Sequence, residues 1–302
     1  MAYFFKELAN KLHLHLIEGD LFKANMLPQN REFSKIILGW QCGYYNEECH
    51  SPIRNDVTVG VDKSKTLASL KGLVEWVERY SFQEGKNNGN PYCQTKRSEG
   101  FAARPFLILK TCAKNTARET ALLEAIERYA WVNWWKNKNT LHYISKIELG
   151  DYFSDINEIE VSDLYEIEVP TTIGASLFIY LLKIKNEGYL TGGAAEFNRD
   201  SVSAKKRAVS ELLRHLLAYQ RSKSDNNFSE REYMNRIVSF GSGSRNYEVE
   251  ERVFKHGDIM TNLPALEIDS EIDQQLSKHV VVYRCRFFNQ PEFIDEEITL
   301  CF

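Results

Sequence analysis

No stretch of this sequence stays apolar for the roughly eighteen residues of a bilayer-spanning helix. The opening Met1-Ala-Tyr-Phe-Phe-Lys-Glu-Leu8 brings charge too early for a secretory signal. Neither a membrane nor an exported location is expected, which leaves the cytoplasm. Positive charge is not in surplus either, since 38 Lys and Arg stand against 42 Asp and Glu for a net charge of −4. A protein that holds nucleic acid by bulk charge carries a basic domain, so nucleic acid is not an expected partner.

Cysteine is sparse. Cys42, Cys49, Cys93, Cys112, Cys285 and Cys301 are scattered through a chain too large to need disulfide staples. Cys42, Cys49 and His50 lack the C-x2-C spacing and second ligand pair of a zinc knuckle, so neutral thiols are expected. No Walker A loop, kinase glycine loop or G-x-G-x-x-G opens a helix, so a nucleotide would need a less common device. With 43% hydrophobic residues over 302 positions the chain can bury a proper core. No linker divides it, and one domain over 1–302 is expected.

What the chain does have is a phrase said twice. Ala68-x6-Glu75-x2-Glu78-Arg79-Tyr80 returns as Ala117-x6-Glu124-x2-Glu127-Arg128-Tyr129. A third copy, Ala204-x6-Glu211, keeps the spacing but puts Arg214 where the second Glu would fall. On a helix each Glu pair projects from one face, with an Arg four residues after the first acid. Each acidic stripe borders an apolar one, through Leu73, Trp76 and Val77 or Leu122, Leu123 and Ile126. The alanines two turns earlier leave room for something to approach the backbone.

Around these helices the pattern reads as an α+β alternation of strand and helix. Strands are predicted at 34–44 and 57–61, followed by a helix with Ser64 as N-cap. A polar loop is read at 84–100 and a short buried strand at 105–110, before the second helix with its tail of Trp131, Trp134 and Trp135. Further strands are predicted at 166–170, 176–184 and 280–288, with a glycine pair at Gly192 and Gly193 before a third helix at 202–219. Residues 221–252 are polar and read as a mobile insertion, not a core element.

An E-x2-E-R triplet on one helix is most simply a solvated face with a weak ion pair. Several carboxylates converging in a partly dry cleft are another matter, because they repel one another unless a multivalent cation sits between them. Magnesium suits such oxygens, and it usually completes its shell with phosphate and water. Composition and spacing reach a possible metal-nucleotide cleft and stop there.

From about Gly60 to Arg214 the chain resembles the YcaO domain family. The matching residues are Gly60-x3-Ser64-x3-Ala68-x6-Glu75-x2-Glu78-Arg79, Ala117-x6-Glu124-x2-Glu127-Arg128 with Trp134-Trp135, and Gly193-x10-Ala204-x6-Glu211. The resemblance implies a YcaO-like α+β fold whose repeated strand-helix units surround an ATP and Mg cleft. It implies that Glu75, Glu78, Glu124, Glu127 and Glu211 hold magnesium or ATP. Arg79 and Arg128 would contact phosphate or orient those glutamates, and Ser64 would lie by the nucleotide. The activity implied is ATP-dependent activation of a peptide backbone amide, with cyclodehydration of Cys, Ser or Thr to azolines as the leading form. Thioamide or amidine formation, or a degenerate subunit that scaffolds a modification complex, are the alternatives.

The chain departs from the family pattern at several positions. Lys71 replaces a small residue four before the first Glu, where it would reach a phosphate or block the site. Thr116 stands where a further acidic ligand is common, with Glu119 nearby. Arg214 replaces a Gln, and the terminal Thr299-Leu-Cys-Phe302 is not a proline-rich tail. The length leaves no room for a leader-binding module, so the expected partners are a precursor peptide and a separate leader-peptide-binding protein. A flavin dehydrogenase and a homo- or hetero-oligomeric assembly are also expected.

Overall fold

The computed structural model describes residues 15–19, 40–45, 58–62, 64–87, 99–106, 109–148, 159–197, 201–224, 232–272 and 278–291. Short β1 (His15–Gly19), β2 (Trp40–Tyr45) and β3 (Thr58–Asp62) form an antiparallel sheet in that order, and β2 and β3 lie against α1 (Lys65–Asn87). Then come β4 (Gly100–Pro105), α2 (Lys110–Lys136), β5 (Tyr143–Ile147), β6 (Val161–Pro170), β7 (Ala175–Ile184), β8 (Tyr189–Phe197) and α3 (Ser201–Ser224). The described chain closes with α4 (Glu232–Gly241), α5 (Asn246–Val253), β9 (Leu266–Ile272) and β10 (Val280–Phe287).

Alanine decides how these elements are layered. Ala117, Ala121 and Ala125 recur one turn apart on α2, all with 0% exposure, and the antiparallel sheet β4-β10-β9 lies on that stripe. Period two sorts β10: Val281, Tyr283, Cys285 and Phe287 face α2, whereas Val280 and Val282 face Leu73, Trp76 and Val77 of α1. Farther along α2, Ala130, Trp131 and Trp134 pack on Ile167, Val169, Leu177 and Ile179 of a second antiparallel sheet, β5-β6-β7-β8. The far face of that sheet carries Leu164, Phe178, Tyr180 and Leu182 against Ala204, Ala208, Leu212 and Leu216 of α3. The order is therefore helix, sheet, shared helix, sheet, helix. Ala68, Ala117 and Ala204 all have 0% exposure, so the small residue of each repeat admits packed protein and not a ligand.

Three sequence expectations need correction. The strand expected at 105–110 is β4 at Gly100–Pro105, and Lys110 already begins α2. The apolar run after Pro105 draws the eye, while three of the six residues of the true strand are Gly or Ala, small enough to pass between two helices. The segment 221–252, expected as a mobile insertion, holds over its described residues the end of α3, then α4 and most of α5. Ile237, Phe240 and Val249 are buried among the core clusters, an apolar periodicity diluted by the many polar residues between them. The loop read at 84–100 begins as helix, since α1 runs to Asn87, and ends in the buried Glu99; residues 88–98 lie outside the described set. Positions 34–39 of the first expected strand lie outside it too.

The glycine pair of β8 lets helices approach from both sides. A Cβ on Gly192 would sit 2.2 Å from Ala208 O and Leu212 N of α3, and one on Gly193 would sit 1.9 Å from the Trp131 ring. Gly174 has positive φ (78°) but nothing within 4 Å of a built Cβ. Gly192→Ala is therefore expected to cost about 2 to 3 kcal/mol, because the clash is with backbone that cannot turn aside. Gly174→Ala should cost only about 1 to 2 kcal/mol, through conformation alone. Chemical denaturation of both variants checks the difference.

Candidate functional site

Both β4 and β8 lie at the edges of their sheets, and the outward N–H groups of an edge strand need partners. Glutamates supply them. Ala103 N donates to Glu78 Oε1 at 2.7 Å from α1, and Phe101 N donates to Glu124 Oε2 at 2.6 Å from α2. Residues two apart on a strand point their N–H groups the same way, so acids from two helices meet along one edge of β4. One turn farther along α2, Glu127 Oε2 accepts from Ala195 N of β8 at 3.2 Å. The E-x2-E of α2 thus straddles two sheets.

These carboxylates act on one another. Glu78 is pushed up to about 8, first by loss of solvent, then by the negative charges of Glu124 and Glu75; the Ala103 N–H and Arg104 oppose the shift. Glu127 also rises to about 8, through desolvation and then repulsion from Glu211 and Glu124, with Arg207 and Arg128 opposing. Glu124 is pushed up by desolvation too, against the pull of Arg128 and the Phe101 N–H. The structure therefore brings Glu75, Glu78, Glu124, Glu127 and Glu211 into one electrostatic neighbourhood. Glu78 Oε2 and Glu127 Oε1 have no protein partner among the described residues.

That donor set fits a hard divalent cation: several oxygens, half-buried, short of positive charge, on rigid elements. Among the described residues no three acids are already disposed around a common point, so ligation requires side-chain rotation from the arrangement shown.

The remaining expected residues are arranged less simply. Arg128 donates to Glu124 Oε1 and to the Glu99 carbonyl, which makes it an orienting group for Glu124 and a clamp on the start of β4. Arg214 lies 2.9 Å from Glu211 Oε1. Lys71 is exposed, one turn before Glu75 on the same face. Ser64 is exposed at the head of α1, where its carbonyl accepts from Ala68 N at 2.9 Å. It stands about 21 Å along the helix axis from Glu78, outside the glutamate cluster. The Arg79 side chain lies outside the described residues. Thr116 is exposed and donates to Cys112 O at 3.1 Å, and Glu119 is exposed as well.

Two arginines and one acid escaped the sequence reading. Arg207 of α3 donates to Ala195 O and acts on Glu127; its position four residues before Glu211 was the available signal. Arg104 reaches Thr120 Oγ1 at 2.7 Å, and nothing marked it because its strand was placed too late in the sequence. Glu99 is buried against Arg284, with Nε to Oε2 at 2.9 Å and Oε1 without a partner among the described residues, inside a segment that reads as polar loop.

No family model matches the sequence, and no curated protein matches it. Solved structures do. A YcaO protein from Methanopyrus kandleri, solved bound with AMPPCP and Mg2+, aligns over 98% of this chain and 91% of its own, with a TM-score of 0.54 and 14% identity. The E. coli microcin synthetase McbBCD complex aligns over 89% of this chain and 86% of that one, with a TM-score of 0.51 and 11% identity. The same complex with pro-MccB17 bound gives 0.51 at 12% identity. At such identities the likeness resides in the backbone, where strands and helices follow one another as they do here, and on that ground this chain has the YcaO fold.

Proposed function

We propose that this chain is an ATP- and Mg-dependent enzyme that modifies the backbone of a ribosomally made peptide, by cyclodehydration of Cys, Ser or Thr to a thiazoline or oxazoline. The observation that carries this reading is the cluster of mutually repelling glutamates set on two sheet edges. The fold adds support, because one of its neighbours was solved bound with AMPPCP and Mg2+ and another, a microcin synthetase complex, with pro-MccB17 bound.

In this reading Glu75, Glu78, Glu124, Glu127 and Glu211 hold the magnesium ions, and the ions neutralise phosphate charge. Ser64 and Lys71 lie toward the head of α1 for the rest of the nucleotide. Arg79 and Arg128 serve phosphate or orient the acids, and Arg214 braces Glu211. Once a side-chain nucleophile has added to the carbonyl, the former amide oxygen, a poor leaving group, would take the terminal phosphoryl group of ATP with release of ADP, and then depart as phosphate as the ring C=N forms and the amide proton is lost. The protein contributes position: acids fixed by backbone N–H groups, and little water around them. Partners would be the precursor peptide, a separate leader-peptide-binding protein and a flavin dehydrogenase, within a homo- or hetero-oligomer in the cytoplasm.

A second reading is a non-catalytic subunit that scaffolds such a complex, and the Arg214 to Glu211 ion pair favours it by compensating one acid internally. Calorimetry separates the two, since a scaffold shows no metal-dependent nucleotide binding. For the enzyme, incubation with leader-binding partner, substrate peptide and Mg-ATP should lower the peptide mass by one water per ring. A gain corresponding to sulfur for oxygen would mean thioamidation instead. Glu78→Gln and Glu127→Gln should each reduce turnover by about 100-fold or more.

The raised carboxylates also set a pH dependence. Their folded pKa lies above the unfolded one, so the metal-free fold holds those protons more tightly. That stabilisation is complete below the ordinary carboxylate range and is lost as pH rises toward about 8. In chelator, the melting temperature should fall between about pH 5 and 8. Magnesium with a non-hydrolysable ATP analogue should restore it most at the alkaline end, where the acids are ionised, and the double Gln variant should flatten both effects.

A further inference from the structure

Among the described side chains four arginines border the glutamates, and three of them already have an acid. Arg128 lies on Glu124, Arg214 on Glu211 at 2.9 Å, and Arg207 on Glu196 at 3.4 Å. Arg104 is different, for among the described residues no carboxylate stands within ion-pairing distance of it. It is not loose, however. Its Nη1 donates to Ala103 O at 2.8 Å and its Nη2 to Thr120 Oγ1 at 2.7 Å, while the Thr120 hydroxyl is itself anchored on Thr116 O at 2.9 Å. Two of the five guanidinium N–H donors are thereby used, and three are left for a ligand.

The position is as informative as the charge. Arg104 directly follows Ala103, whose N–H holds Glu78, and Thr120 precedes Glu124 by one turn of α2. The guanidinium is therefore strung between the acid of α1 and the acids of α2, close enough for its charge to act on Glu78 without pairing with it. A half-buried cation clamped at two points beside an acidic cluster is prepared for an anion that arrives with its own counter-ion. A lone carboxylate would meet net repulsion there. A polyphosphate that shares a metal with the glutamates would not.

We infer that Arg104 grips the polyphosphate chain of the nucleotide, from the flank of the site opposite β8. The inference rests on the ATP reading above and adds to it a binding residue on β4. Phosphate favours this group over a lysine because the planar fork can take two oxygens at once while its remaining donors keep their protein contacts.

The test is equilibrium binding, in Mg2+, of a non-hydrolysable ATP analogue and of AMP to the full chain. Arg104→Ala should weaken the triphosphate analogue by about tenfold or more and leave AMP unchanged. Arg104→Lys should recover part of the loss, and Thr120→Val, which frees the guanidinium without removing its charge, should cost less than Arg104→Ala. Unchanged binding of the triphosphate, or equal weakening of triphosphate and AMP, overturns the role of Arg104. So does equal loss in Arg104→Ala and Thr120→Val with matching falls in the melting temperature of the ligand-free protein, since the residue would then only tie β4 to α2. If the unmodified chain shows no Mg-dependent binding of the triphosphate, the ATP reading fails first and carries this inference with it.

Discussion

The unpaired N–H groups along two sheet edges organise everything else in this molecule. An exposed edge invites another strand, and proteins usually blunt it with charge, proline or a covering loop. Here the blunting groups are carboxylates sent from helices packed above and below the strand, Glu78 and Glu124 on β4 and Glu127 on β8. Because each of these three acids accepts from a strand N–H, they are held near one another, and repulsion among them is built into the fold. Such locally unfavourable arrangements are what functional sites retain and the surrounding core pays for. The same hydrogen bonds that seal the edges thus hold a set of oxygens in place.

How much of this could be read beforehand follows from what kind of signal each residue gives. The repeats at Glu75, Glu124 and Glu211 were legible because helical spacing survives any tertiary context, and the alanines before them were legible for the same reason. Their meaning was not: spacing shows a gap in the helix surface, and only the fold shows that a strand fills it. β4 was misplaced because a strand passing between two helices must be small-sided, and small residues carry no hydrophobic alternation. The helices α4 and α5 read as a polar insertion because Ile237, Phe240, Val249 and Val253 are few among many charges, although all four are buried. Arg104 gives no signal, for its significance lies in Thr120 beside it and in the absence of an ion-paired acid among the described residues.

The departures from the family pattern acquire concrete surroundings. Thr116, where the resemblance leads one to expect an acid, keeps an exposed neutral side chain on Cys112 O, and only its main-chain carbonyl accepts from Thr120, which in turn accepts from Arg104. Arg214 is directed at Glu211 instead of leaving that acid to a ligand. Lys71 extends the acidic face of α1 toward its head as an exposed side chain. Taken together these put more positive charge around the glutamates than the pattern alone would lead one to expect.

The pairing of β4 with β10 brings the chain back on itself over a great distance, as Glu99 and Arg284, 185 positions apart, show where the two strands meet. Contacts of such long sequence separation form slowly, because the loop must close before the pairing can repay it. Until β10 arrives, β4 has no neighbour in its sheet, and Glu78 and Glu124 have no fixed edge to hold. During synthesis the acidic helices therefore emerge long before the strand that arranges them. A chain truncated ahead of Val280 would carry every repeat of the motif and still lack the ordered site.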